Sequence, residues 1–186
     1  MPELKKILRG CLAGNERDQE LLYRRYSAKL YGVSLQYTGS SEDGRDVLQE
    51  SFIKIFTNLH TYSGEGSFEG WMRRIVVNTA LEKHRNRYYL SKVDDLNNVP
   101  DGFIDLNLSD TAGLEADDLL AFIMELPPKY RMVFNLYAIE GYTHKEIAKM
   151  MSISEGTSKS NLSRARGILQ RKVEKHLGIK KRMING

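Results

Sequence analysis

Asp46 and Glu50 stand four residues apart, with Gln49 and Ile53 beside them. On a helix that spacing puts two carboxylates on one side. Such a pair can hold a metal ion or meet a partner. A di-metal helical site also needs Glu-x-x-His helices, and the chain has no Glu-x-x-His. His60, His84, His144 and His176 are scattered, without metal-ligand spacing. Cys11 is the only cysteine, so neither an intrachain disulfide nor a thiolate cluster can form. No Gly-rich phosphate loop and no Ser/His/Asp grouping appears. The expectation is a protein with no metal, no cofactor and no catalysis of its own. Asp46, Gln49, Glu50 and Ile53 then read as a docking surface with an apolar centre and polar rim, or as a solvated acidic face.

A second group lies between Phe68 and Tyr89. Trp71, Arg73, Arg74, Asn78, His84, Arg85, Arg87, Tyr88 and Tyr89 interleave cations with rings. Single-stranded DNA is held that way: cations follow the backbone and rings stack on unpaired bases. Trp71, with Phe68 and Ile75, fits a hydrophobic core equally well.

A third group lies near the C-terminus. Thr143 and Glu146 have capping-box spacing and start a short helix through Ile147, Ala148 and Met151. Ser152-Ile153-Ser154 makes a turn, and Ser154 can cap a second helix from Glu155. On that helix Ser158, Leu162, Ala165, Leu169 and Val173 share one side. Thr157, Lys159, Ser160, Ser163 and Arg164 lie near its start and away from that stripe. A recognition helix reads base edges in the major groove with such side chains. Arg166, Arg171, Lys172 and Lys175 follow, where phosphates would lie. The bland alternative is a helical hairpin with a wet, basic face.

The elements that must position these groups are helical. Leu22, Tyr26, Leu30, Val33 and Tyr37 recur at helical steps, as do Leu48, Phe52, Ile55 and Leu59. Gly39-Ser40-Ser41 separates these two helices. Ser67 caps a third, with Phe68, Trp71, Met72, Ile75 and Thr79 on one side. Pro127-Pro128 ends one helix and begins another. No alternating strand pattern appears, so the fold class is all-α. The chain of 186 residues carries a net charge of +4, unevenly spread. Residues 1–90 carry +3, residues 91–128 carry −8 and residues 129–186 carry +9. Two basic helical domains, 1–90 and 114–180, are expected on either side of an acidic flexible linker, 91–113, with a basic tail at 181–186. No apolar run is long enough to span a membrane, and Met1–Lys6 lacks a signal peptide's apolar stretch, so a cytoplasmic protein is expected.

The motifs resemble a known family. Leu126-Pro127-Pro128-Lys129-Tyr130-Arg131, Gly141 to Ala148 and Gly156 to Arg166 resemble domain 4 of sigma-70 family sigma factors, in the extracytoplasmic-function (ECF) subgroup. Asp46 to Phe52 resembles the polymerase-gripping helix of domain 2, and Phe68 to Asn78 its promoter-melting helix. The resemblance covers about Leu21 to Val173. It implies a non-enzymatic transcription initiation factor, a monomer when free, that binds bacterial core RNA polymerase and promoter DNA. Asp46, Gln49, Glu50 and Ile53 would meet the β′ coiled coil, and domain 4 the β flap. Trp71, Arg73, Arg74, Asn78 and Arg85 would hold the melted minus-ten strand. Thr157, Lys159, Ser160, Ser163 and Arg164 would read the minus-thirty-five duplex, with Arg166, Arg171 and Lys172 on its phosphates. The acidic linker would thread the polymerase's nucleic-acid channel, or serve as a plain tether. An anti-sigma factor is an expected partner. A stand-alone helix-turn-helix regulator is the alternative. Gly44, Arg45 and Asn161 depart from the family pattern, Gly44 as a weak helix start, and Ser163 is small for a base-reading position.

Overall fold

Asn15 starts a long helix of the N-terminal half by accepting a hydrogen bond from the Asp18 N–H at 3.1 Å. Gly39 ends it, with φ 72° and its N–H donated to the Leu35 carbonyl. Local chemistry of this kind bounds most elements of the computed structural model, which describes residues 2–91 and 116–184. The expected acidic linker, 91–113, lies outside the described residues except for its first. The side chains of the basic tail, 181–186, lie outside them too.

The α-helices among the described residues are α1 (Pro2–Leu12), α2 (Glu16–Thr38), α3 (Ser41–Asn58), α4 (Phe68–Ser91), α5 (Ala116–Met124), α6 (Pro128–Phe134), α7 (His144–Met151) and α8 (Glu155–Ile184). A 3₁₀ turn, Leu59–Thr61, follows α3, and a π-helical turn, Asn135–Ile139, follows α6. No strand occurs among the described residues, so the fold is all-α. Nor is any described helix long and apolar enough to cross a membrane. The chain divides into two units, 1–86 and 87–186.

In the first unit α2 packs on α3 and α1 on α2. The Ser40 hydroxyl accepts from the Asp43 N–H at 3.2 Å and caps α3. The expected stripes are buried but for Tyr26, which is half-buried: Leu22, Leu30, Val33 and Tyr37 from α2, and Leu48, Phe52, Ile55 and Leu59 with the turn after α3. Two features differ from the sequence reading. Helix α1, which periodicity did not single out, contributes buried Ile7 and Cys11. On α4 the packed side is wider than the Phe68–Thr79 stripe and includes Val76, Val77, Ala80 and Leu81.

At Gly44 the fold adds a packing role to the weak helix start that the sequence shows. The glycine is buried in the first turn of α3, and its carbonyl accepts the Ser34 hydroxyl at 2.9 Å. The missing side chain leaves room for Leu35 and Tyr31 of α2, whose side chains pack beside the helix start.

The second unit is organised around Leu126-Pro127-Pro128-Lys129-Tyr130-Arg131. Pro128 occupies the first position of α6, where its missing N–H costs nothing. Leu126 and Tyr130 join Ile123, Ala165 and Leu169 in the core. Arg131 is almost fully buried and donates to the carbonyls of Met124 and Leu126. Those carbonyls lie at the end of α5, where orphan acceptors and the helix dipole favour a cation. Helix α8 packs on α5, α6 and α7.

Candidate functional site

Three surfaces carry the residues of interest. On α3, Ile53 is 66% exposed, a large apolar side chain with no covering. Asp46 and Gln49 are exposed and Glu50 is half-buried. The carboxylates are not bare. Lys83 Nζ lies 3.8 Å from Asp46 and 3.7 Å from Glu50. Lys54 Nζ lies 3.0 Å from Glu50 and 2.6 Å from Glu82. Burial works against the Lys54 charge, but the hydrogen bonds and charges of Glu82 and Glu50 outweigh it and raise its pKa. Lys54, Glu82 and Lys83 were absent from the sequence reading. The Glu50–Lys54 spacing of four announces one pair, whereas the α4 partners come only from the fold.

On α4, Trp71, Arg74, Asn78 and Arg85 fall within about 60° of arc by the helical repeat. Arg74 and Asn78 are exposed, while Trp71 and Arg85 are half-buried. Arg73 is half-buried and lies about 160° away from Trp71. The packed side of α4 takes it, so the structure does not bring it to the stripe. Trp71 belongs to an aromatic cluster: its ring stacks on Phe68 at 5.6 Å and meets Tyr62 at 5.7 Å. Phe68 is the buried member. Trp71 is thus both a packing residue and a half-open ring. The side chains of Arg87, Tyr88 and Tyr89 lie outside the described residues.

The third surface is built by α7 and α8. The Thr143 hydroxyl accepts from the Glu146 N–H at 3.3 Å, and Glu146 accepts from the Thr143 N–H at 2.8 Å. The carboxylate's bond from the Thr143 N–H, with a second from the Thr143 hydroxyl at 2.7 Å, holds Glu146 below its ordinary pKa. Ser152 turns the chain with φ 56°. Ser154 then caps α8, accepting from the Thr157 N–H at 2.9 Å. Ser158, Leu162, Ala165 and Leu169 are buried against the core, and Val173 is half-buried. The other side presents Thr157 and Lys159 as exposed residues, with Ser160, Ser163 and Arg164 half-buried. Ser160 donates to the Thr157 carbonyl at 3.1 Å.

Of the expected phosphate contacts, Arg171 is exposed. Lys172 lies on the packed side and pairs with Glu125. Arg166 is half-buried, its guanidinium 5.9 Å from the Tyr137 ring centre. Asn161, where the family pattern has Arg, is only 6% exposed, so this position faces inward. Tyr137 and His144 were not read as a pair in the sequence. Their rings stack at 4.7 Å, and His144 Nδ1 lies 2.9 Å from Ser158 Oγ. Burial, then Lys159 and Arg166, lower the His144 pKa.

The chain thus joins a capped helix–turn–helix unit to a second helical unit that exposes a large apolar residue, Ile53. Two family models match the chain: sigma-70 region 2 over residues 22–88 and sigma-70 region 4 over residues 116–169. The chain is 33% identical over 171 residues to the ECF RNA polymerase sigma-E factor of Salmonella typhimurium, covering 87% of this chain and 89% of that one. It is 30% identical over 158 residues to the ECF RNA polymerase sigma factor SigE of Mycolicibacterium smegmatis, covering 83% of this chain but 61% of that one. A solved complex of the sigma factor RpoE with the anti-sigma factor NepR from Bartonella quintana aligns over 85% of this chain and 98% of that one, at 19% identity and a TM-score of 0.49. The chain belongs to the sigma-70 family, in its ECF subgroup. Proteins of this family are transcription initiation factors that work with RNA polymerase rather than catalysts.

Proposed function

We propose that this chain docks on core RNA polymerase through the α3 face, holds the melted minus-ten strand along the Trp71–Arg85 stripe, and reads the minus-thirty-five duplex with the start of α8. Ile53 supplies the apolar centre of the docking face, and Asp46, Gln49 and Glu50 its polar rim. Exposed Arg74 and Asn78 beside the half-open Trp71 ring suit a single strand. Lys159 and Arg164 suit guanine edges, and exposed Arg171 suits a phosphate. An anti-sigma factor is a further proposed partner, on the ground of family.

One observation carries this reading: the uncovered Ile53 face and the capped helix–turn–helix occur on one chain. A stand-alone operator binder has no use for the first. The test is co-purification with core RNA polymerase, followed by run-off transcription from genomic fragments. Stable association and discrete start sites are expected. Operator binding by the chain alone, with no polymerase association, would overturn the reading.

A further inference from the structure

Ser158 is the one hydroxyl in the apolar stripe by which α8 packs, and its exposure is 0%. A buried hydroxyl needs a hydrogen-bond partner. His144 Nδ1, on the first residue of α7, provides it at 2.9 Å. The His144 ring stacks on Tyr137 with an interplanar angle of 20°. The Tyr137 ring in turn lies 5.9 Å from the Arg166 guanidinium. Ser158 and Arg166 are two turns apart on α8. Both are therefore tied to the same aromatic pair, one through a hydrogen bond and one through a cation–ring contact. Lys159, Ser160, Ser163 and Arg164 lie between these two ties.

We propose that the His144–Ser158 hydrogen bond is a positioning contact that fixes the rotation at which α8 presents its reading side chains. The proposal rests on α8 being the duplex reader. Apolar contacts are non-directional and tolerate small rotations of a helix. A hydrogen bond is directional and weakens steeply off its axis. A base contact depends on the same tolerance, because its donors must meet O6 and N7 of one guanine. His144 touches no base in this account; it acts through Ser158 on its neighbours. The charged groups around it are Lys159, Arg166 and Glu155 of α8.

The test uses the full chain assembled with core RNA polymerase and a duplex pool randomised over the minus-thirty-five region. Enrichment is read by sequencing. His144→Phe keeps a ring on Tyr137 and loses the bond. Ser158→Ala loses it from the other side. Both are expected to lose about fivefold or more of the preference for the best sequence over its single-base variants, the low end for one misplaced base contact. Total duplex binding should change much less. His144→Asn places an amide where Nδ1 stood and should restore the preference. If His144→Phe folds poorly, the His144→Phe/Ser158→Ala double variant, which leaves no buried hydroxyl unpaired, carries the same expectation. Unchanged preference in the folded variants would overturn the proposal. So would weaker binding to every sequence with the ranking intact, which marks an ordinary packing contact. No enrichment by the wild type would overturn the duplex-reading assignment itself, and the positioning role with it.

Discussion

A Cβ on Gly44 would stand 2.8 Å from Cδ2 of Leu35, closer than two carbons can approach. The obstacle is the tip of a half-buried, flexible side chain. Gly44→Ala should therefore be near neutral: Leu35 swings aside, and alanine gains roughly 1 kcal/mol in helix propensity. Gly44→Leu cannot be absorbed that way and should cost about 1–3 kcal/mol by overpacking. Urea unfolding of the two variants decides it, and equal midpoints would refute the close approach of α2 and α3.

Charge reversal of Asp46 and Glu50 to lysine should abolish co-purification with core polymerase. The fold should survive, since these partly exposed pairs contribute roughly 0–1 kcal/mol each and the new lysines can turn from Lys54 and Lys83 into solvent. Far-UV circular dichroism checks the fold, and retained polymerase binding would refute the docking role.

Asn78 and Trp71 should separate opening from stability. Asn78 is exposed, so Asn78→Ala should reduce promoter opening, read by permanganate reactivity of thymines, without changing the melting temperature. Trp71→Ala should reduce both, because its ring packs on Phe68 and Tyr62. Its half-buried position puts the stability loss below the roughly 3–5 kcal/mol of a full core truncation.

Lys159→Ala should cost roughly 1–3 kcal/mol on the preferred minus-thirty-five sequence and much less on mismatched ones. Arg171→Ala should weaken all sequences alike and lower the salt slope by about one. Competition binding across salt concentrations tells the two apart. The reverse pattern would mean that α8 docks in the opposite sense.

The second unit should lose stability in mild acid. Burial first, then Lys159 and Arg166, hold His144 below its ordinary pKa of 6.5. The unfolded chain therefore takes up a proton that the folded chain refuses. The resulting stability is complete above pH 6.5 and is lost as pH falls through the lower, folded value. Melting temperatures from about pH 7.5 to about pH 5 should fall more steeply for the wild type than for His144→Asn. Parallel curves would exclude His144 as the source.

Periodicity and capping were legible because they are local. The buried stripes of α2 and α3, the Thr143–Glu146 box and the Ser154 cap all follow from spacing within a few residues. What the sequence hid was non-local. Gly44 read as a weak helix start until Leu35 stood beside it. Arg73 read with Arg74, but the packed side of α4 is too wide to leave both outside. Lys172 read as a phosphate ligand, yet its partner is Glu125, on a segment 47 residues earlier. His144 looked like one of four scattered histidines, because its bond to Ser158 exists only once α7 and α8 meet.

The lysines along the α3 and α4 surface have a kinetic corollary. Asp46, Glu50 and Glu82 share Lys54 and Lys83, so three negative charges leave a residue of one. A patch that brings its own counter-ions casts little field beyond a Debye length. Distant cationic surfaces are not drawn toward it, and adventitious basic proteins gain no advantage from charge alone. The encounter rate should then vary little with moderate ionic strength, and lifetime rather than approach should distinguish the true partner from the rest.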